Sequence, residues 1–245
     1  MFFTTRLANP GKFLRLADRV IPWLAGLALV FFTAGLYLAL YHSPPDYQQG
    51  ETVRIMYVHV PAAWCGLMIY VAMAVAAGVG FVARHTLADV FCVAAAPVGA
   101  TFVALCLITG SIWGEPTWGT WWVWDARLTS VLILFLLYCG YIVLRHSFDD
   151  HEKGAKAAGI LLLTGVVDIP IVRFSVDWWR TLHQKAGIDL FGHSTVPPAM
   201  LRPLFAMLLA FTFYAAFLVF WRMKTELTAR RIEAREMQFD GDIQD

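Results

Sequence analysis

Six long runs of apolar residues constrain this 245-residue chain more than any other feature. A membrane-spanning helix needs about 20 mostly apolar residues, because hydrocarbon offers no partner for an exposed peptide group. With 59% hydrophobic and 15% charged residues, the chain is too apolar for an ordinary soluble domain. We therefore predict an all-α integral membrane protein, a bundle of six transmembrane helices with spans at about 20–41, 60–83, 90–112, 128–144, 157–172 and 203–221.

The fifth run is the weakest, because Asp168 and Pro170 interrupt it. An ionisable side chain inside a span is costly and usually faces the bundle interior or a cavity, which makes Asp168 a candidate functional residue. Alternatively, Pro170 and Arg173 end the helix early and leave Asp168 solvated near the outer surface. The sequence leaves both interpretations open.

Lysines and arginines are concentrated in alternate connections between the runs, and this bias sets the orientation of the bundle. The basic flanks are expected on the cytoplasmic side, so both termini are predicted to be cytoplasmic and three connections external. The opposite connections are sparsely basic. The basic flanks hold Arg6, Lys12, Arg15, Arg19, Arg84, Arg145, Lys153, Lys156, Arg222, Lys224, Arg230, Arg231 and Arg235.

The two ends of the chain are expected to lie outside the bundle. Residues 222–245 are predicted to form a charged cytoplasmic tail that frays toward its end. The segment before the first span mixes apolar and basic residues and predicts a short helix on the cytoplasmic surface. Its apolar positions are Phe13, Leu14, Ala17 and Ile21.

Several kinds of chemistry are excluded by what the sequence lacks. The net charge of +1 conceals a strong segregation of charge into short connections, which implies neither a nucleic-acid groove nor a general acidic partner. There is no C-x-x-C pair for thiol–disulfide exchange, no C-x-x-C-H for covalent haem attachment and no phosphate-binding loop for ATP. The four cysteines fall inside apolar runs and are expected to be packing residues: Cys65, Cys92, Cys106 and Cys139.

Between the third and fourth runs, residues 113–127 read WGEPTWGTWWVWDAR. Tryptophans commonly form a belt at the membrane interface, but a belt scatters its rings, whereas this segment concentrates them. If the chain is helical from Trp118 onward, one face carries Trp118, Trp121, Trp122 and Asp125. Such an aromatic wall suits a planar apolar ligand such as a porphyrin. We predict an external tryptophan-rich amphipathic segment, although periodicity alone does not identify its ligand.

The stretch WGEPTWGTWWVWDARLTS resembles the tryptophan-rich WWD signature of the haem-handling proteins of cytochrome c maturation. Within that family, the short chain, the sequence HVPAAW at 59–64 and the ending WDARLTS resemble the CcmC branch more than the longer CcmF or CcsA types. The resemblance covers most of the chain from Tyr47 to Trp221 and fades at both ends.

The resemblance implies a haem-delivery protein and not an enzyme. Such a protein binds haem b non-covalently at the periplasmic face of the bacterial inner membrane and presents it to the haem chaperone CcmE. It works within an assembly that contains the ATPase CcmA and the membrane subunits CcmB and CcmD, so any ATP hydrolysis belongs to a partner. Two alternatives remain: a membrane b-type cytochrome that transfers electrons, and a solute transporter with its pathway near Asp168.

The resemblance also implies the haem-iron ligands, which match His59 and His183 here. From the residues alone, His59 precedes Pro61 at a membrane edge, and His183 would share a helical face with Trp179 if residues 177–183 were helical. A lone histidine is more often a hydrogen-bonded surface residue than a ligand. His42 and His193 match no motif and keep that ordinary interpretation.

Other polar residues of the outer connections are candidates for contact with haem. Arg54 and Arg127 could bind the two propionates or simply anchor the chain at the interface. Asp125 is expected to cap or orient the aromatic segment, and Ser175 to hydrogen-bond a ligand or end a helix. The predicted haem-contacting set is Trp113, Trp118, Trp121, Trp122, Trp124, Asp125, Arg54, Arg127, Ser175 and Trp179.

Overall fold

The computed structural model describes residues 9–83, 85–183 and 196–244, and in these ranges it contains helices and no strands. Six helical stretches are long and apolar enough to cross a membrane, which confirms the predicted six-helix architecture. A π-helical turn, Leu38–His42, extends the first helix, and a 3-10 turn, Glu51–Ile55, leads into the second. The helices are α1 (Pro10–Tyr37), α2 (Met56–Ala83), α3 (Thr86–Trp118), α4 (Ala126–His146), α5 (His151–Gly165), α6 (Asp168–Trp178) and α7 (Pro198–Gln244).

The two ends of the chain differ from expectation, because both continue the first and last helices. Asn9 caps α1 by accepting hydrogen bonds from the backbone N–H groups of Gly11 and Lys12, so the helix begins well before its apolar run. The apolar face predicted to lie on the membrane surface packs on α7 instead, and Phe13 stacks on Phe220 with ring centroids 5.6 Å apart. At the other end, α7 stays helical through Gln244.

Helix α3 lies at the centre of the bundle and contacts α2, α4 and α7. The α3–α4 contact needs a glycine, since a Cβ built on Gly99 would lie 2.3 Å from the Tyr138 hydroxyl oxygen. That hydroxyl donates a 2.7 Å hydrogen bond to the backbone carbonyl of Gly66 on α2. A buried tyrosine therefore ties three helices together and satisfies its own polar atom.

The fifth span is broken into α5 and α6 by a two-residue turn at 166–167. Asp168 opens α6 and is only 7% exposed, so the interpretation that it is solvated at the surface is wrong. The physical reason is that Pro170 falls in the first turn of α6, where a missing N–H leaves no hydrogen bond unmade. The proline therefore allows a new helix to begin at Asp168, whose side chain is buried.

Charged residues are paired at the end of the bundle where α3 begins and α4 finishes. Arg145, only 4% exposed, donates to both carboxylate oxygens of Asp89, at 3.1 and 3.0 Å. Arg230 of α7 donates to the same carboxylate at 2.7 Å. Lys224 of α7 forms an ion pair with Asp18 of α1 at 2.5 Å. These ion pairs connect α1, α3, α4 and α7 at this end of the bundle.

We predict that Asp89→Asn destabilises the protein by about 3 kcal/mol, because it leaves the buried Arg145 guanidinium without its counter-charge. The measurement is the unfolding midpoint of the detergent-solubilised protein. Glu152→Gln is the matched control, since it removes an ion pair with Lys156 whose side chains are 77% and 60% exposed. Equal midpoints for the two variants would contradict the role given to Asp89.

Candidate functional site

A cavity opens at the opposite end of the bundle from the arginine pairs. It lies where α2 and α4 begin and where α3 and α6 finish, and the connection before α2 also contributes to its wall. The empty space, including its open mouth, is about 940 Å³. Apolar side chains of α2, α3 and α4 form its floor, including Leu67, Val103, Val131 and Leu134.

His59 lies in the first turns of α2 and faces the cavity. Its Nδ1 atom is 3.1 Å from the backbone carbonyl oxygen of Cys106 and 3.1 Å from the hydroxyl oxygen of Thr109, both on α3. A Cβ built on Gly110 would lie 3.0 Å from the His59 ring, so the absence of a side chain at Gly110 makes room for it. The imidazole is therefore held against α3 along one edge.

His183 reaches the same cavity from the chain that follows α6. The condition that residues 177–183 are helical is not met, because α6 ends at Trp178 and Trp179 has extended backbone angles, φ −128° and ψ 159°. The His183 ring centroid nevertheless lies 6.4 Å from that of His59, with the ring planes inclined by 33°. Trp179 is 52% exposed and does not line the cavity.

The tryptophan segment bends instead of continuing as a helix. Gly119 ends α3 with φ +73°, a left-handed conformation that glycine adopts without a Cβ clash, so the predicted helical face from Trp118 to Asp125 is wrong. The bend sorts the rings into two groups. Trp113, Trp118 and Trp122 line the cavity, whereas Trp121 and Trp124 are 61% and 75% exposed and point elsewhere.

Two of the inward tryptophans lie beside the imidazole rings. Trp113 meets the His59 ring edge-on at 5.7 Å between centroids, and Trp118 lies 6.2 Å from the His183 ring. Gln49 accepts a 2.9 Å hydrogen bond from the Trp113 indole N–H and so fixes that ring. Sequence patterns did not reveal Gln49, because its position depends on a local turn. In that turn the Asp46 carboxylate accepts hydrogen bonds from the backbone N–H groups of Gln48 and Gln49.

Arg127 is the cationic residue of the cavity wall among the described residues. Its Nε donates a 3.0 Å hydrogen bond to the hydroxyl of Ser175, which is fully buried and in turn donates to the Val172 carbonyl. Ser175 therefore positions the guanidinium and does not itself line the cavity. Arg54, by contrast, pairs with Glu51 at 2.5 Å and donates to the Ala39 carbonyl, outside the cavity.

Asp125 caps α4, as its predicted supporting role requires, by accepting a 2.8 Å hydrogen bond from the backbone N–H of Leu128. Its other carboxylate oxygen and the indole N–H of Trp122 are buried without a partner among the described residues. A buried donor without a partner is costly, so the Trp122 N–H is available to an acceptor brought by a ligand.

His42 and three of the four cysteines do not line the cavity. His42 is exposed and packs edge-on against Tyr37, and His193 lies outside the described residues. The cysteines are unpaired, with Cys65, Cys92 and Cys106 buried and Cys139 half-buried. Only Cys106 borders the cavity. The site thus offers two facing imidazoles, three indoles and one guanidinium, which suits non-covalent binding of a flat, metal-containing anion.

Comparison with known proteins gives consistent matches along nearly the whole chain. The family model described as heme exporter protein C matches residues 3–238, which include every residue of the cavity. Heme exporter protein C of Bradyrhizobium diazoefficiens is 48% identical over 231 residues, or 94% of this chain and 88% of that relative. The Escherichia coli K12 protein of the same name is 46% identical over 219 residues, or 89% and 88%. A putative cytochrome c biosynthesis ccmC-like mitochondrial protein of Marchantia polymorpha is 44% identical over 207 residues, or 84% and 88%.

The left-handed conformation of Gly119 predicts that substitution there lowers the stability of the protein. Gly119→Ala should lower the free energy of unfolding by about 1 kcal/mol, because alanine strains the left-handed conformation, and Gly119→Asn should restore part of the loss. Gly26→Ala is the control, since a Cβ there meets nothing within 4 Å and the backbone is helical. The unfolding midpoints of the four proteins check this, and an unaffected Gly119→Ala would contradict it.

Proposed function

Because the chain belongs to the heme exporter protein C family, we propose that it binds haem in the cavity between His59 and His183 and delivers it during cytochrome c maturation. The single observation that carries this proposal is the 6.4 Å separation of the two imidazole centroids beside three indole rings.

The separation fits two axial ligands of one iron. A metal–imidazole bond is about 2 Å long and the ring centre lies about 1 Å behind the bonding nitrogen, so imidazoles on opposite faces of one metal have centroids about 6 Å apart. Within the described residues no group of three or more His, Cys, Asp or Glu could hold a metal ion. Two axial histidines are what haem needs, since the porphyrin supplies the other ligands.

The rest of the cavity supports haem as cargo. Flat indoles at Trp113, Trp118 and Trp122 match the apolar faces of a porphyrin. Arg127, with a guanidinium that has donors beyond the one given to Ser175, can pair with a propionate, and Trp122 can add its indole N–H. Arg54 is a weaker candidate for the second propionate, because it is already paired with Glu51.

Delivery is a better account than resident cofactor binding. One proposed ligand, His183, lies in non-helical chain beyond the end of α6, and the empty space of the cavity continues into solvent, which suits release of a bound ligand. We propose that the cavity faces the periplasm, that both termini lie in the cytoplasm of a bacterial cell, and that haem b leaves to the chaperone CcmE. CcmA, CcmB and CcmD would be the partners, with ATP hydrolysis assigned to CcmA.

Replacing both His59 and His183 by Ala should abolish the bis-imidazole absorption spectrum of haem in the purified protein, because both axial ligands are removed. His42→Ala is the matched control, since His42 is an exposed histidine outside the cavity and should leave the spectrum unchanged. A bis-imidazole spectrum in the double variant would eliminate these two ligands.

Trp118→Leu should weaken haem retention several-fold, whereas Trp121→Leu should leave it at the wild-type level, because Trp118 lines the cavity and Trp121 is 61% exposed outside it. Haem content per protein after washing in detergent, compared at equal membrane insertion, measures the difference. If both variants lose haem equally, the tryptophans act as one interfacial belt and not as two groups.

A further inference from the structure

The surroundings of His59 determine which of its two ring nitrogens carries the proton. Neutral imidazole has one N–H donor and one bare acceptor nitrogen, so the partners of Nδ1 decide the tautomer. Two oxygen atoms lie 3.1 Å from Nδ1: the Cys106 carbonyl oxygen and the Thr109 hydroxyl oxygen.

Both oxygens can only accept a hydrogen bond from His59. A carbonyl has no hydrogen to donate. The Thr109 hydroxyl has one, which it donates to the Leu105 carbonyl at 2.7 Å, with the Cys106 carbonyl as a second acceptor at 3.2 Å. The Cys106 thiol is 3.9 Å from Nδ1, farther than either oxygen, and is a weak donor.

From these contacts we infer that Nδ1 of His59 carries the proton, that Nε2 offers its lone pair to the cavity, and that Thr109 is a positioning residue for this ligand. The direction follows from Gly110: a Cβ there would lie 3.0 Å from Cε1 and 3.5 Å from Nδ1, so this edge of the ring faces α3. Nε2 is the ring nitrogen left for the cavity, which His59 lines together with His183. The inference deepens the proposed function, because it names Nε2 as the atom that binds iron.

The Cys106 carbonyl and the Thr109 hydroxyl also affect how strongly His59 can donate electrons to a metal. An N–H that donates to a carbonyl or hydroxyl makes the opposite nitrogen more electron-rich and keeps the ring from rotating. His59 is therefore a strong and fixed axial donor, which favours the ferric state of bound haem. Loss of the Thr109 hydroxyl leaves the Cys106 carbonyl alone to orient the ring.

The tautomer is measured on haem-free protein. Detergent-solubilised protein labelled with [15N]histidine should show a protonated Nδ1 and a bare Nε2 for His59 near neutral pH, with the signals assigned by their loss in His59→Gln. A bare Nδ1, or a doubly protonated ring, would overturn the inference. This experiment needs no haem, so it decides the tautomer even if the purified protein binds none and the proposed function fails.

The role of Thr109 is measured on the haem-loaded protein. Thr109→Val should speed haem dissociation by about tenfold and shift the haem midpoint potential to more positive values, and Thr109→Ser should restore both. Thr101→Val is the matched control: Thr101 also lies on α3 and donates to the carbonyl four residues earlier, at 2.8 Å, but outside the cavity. An unchanged potential in Thr109→Val, or no rescue by Thr109→Ser, would assign Thr109 a packing role only and overturn its positioning role.

Discussion

Hydrocarbon supplies no hydrogen-bond partners, and this constraint decides where polar chemistry can occur in the protein. Each long apolar run becomes a helix that makes its backbone hydrogen bonds internally. The main clusters of interacting charged and polar side chains lie at the two ends of the bundle. At one end Asp89 is shared by Arg145 and Arg230. At the other, His59 is held by α3 and Arg127 by Ser175. Between them the main polar link is a tyrosine hydroxyl bonded to a backbone carbonyl.

The sequence predicted the six-helix architecture well, because a run of some twenty apolar residues has few alternatives to a spanning helix. It did not predict where those helices end, since the ends depend on contacts made by other parts of the chain. The amphipathic face around Phe13 packs on α7 rather than on lipid. Asp168 is buried because Pro170 permits a second helix to start beside it. A pattern of polarity identifies such a face but not the surface that will cover it.

Part of the cavity lining was predicted from the sequence, and the rest was missed for two physical reasons. Motif resemblance picked out the two histidines, whose ring centroids lie 6.4 Å apart in the structure. Position on the sparsely basic outer face picked out Arg54 and Arg127, of which only Arg127 borders the cavity. The aromatic face was wrong because helical periodicity was extended through Gly119, a residue typical of the point where helices stop. The sequence did not reveal three residues whose roles depend on tertiary contacts. The amide oxygen of Gln49 binds the Trp113 indole, the hydroxyl of Thr109 contacts the His59 ring, and the missing side chain of Gly110 makes room for that ring.

Helix α7 has a geometric consequence of its own. Its 47 residues, at about 1.5 Å each, make a rod of about 70 Å, more than twice the thickness of a hydrocarbon core of about 30 Å. Its charged part, from Arg222 onward, extends past the Arg230–Asp89 pair at the end of the bundle away from the cavity. Arg222 donates a hydrogen bond to the Ala94 carbonyl and Arg230 donates one to the Asp89 carboxylate, so α7 is bound to α3 at two points. A force on the charged part of α7 is therefore transmitted through these two contacts to α3, the helix that holds the His59 ring in place.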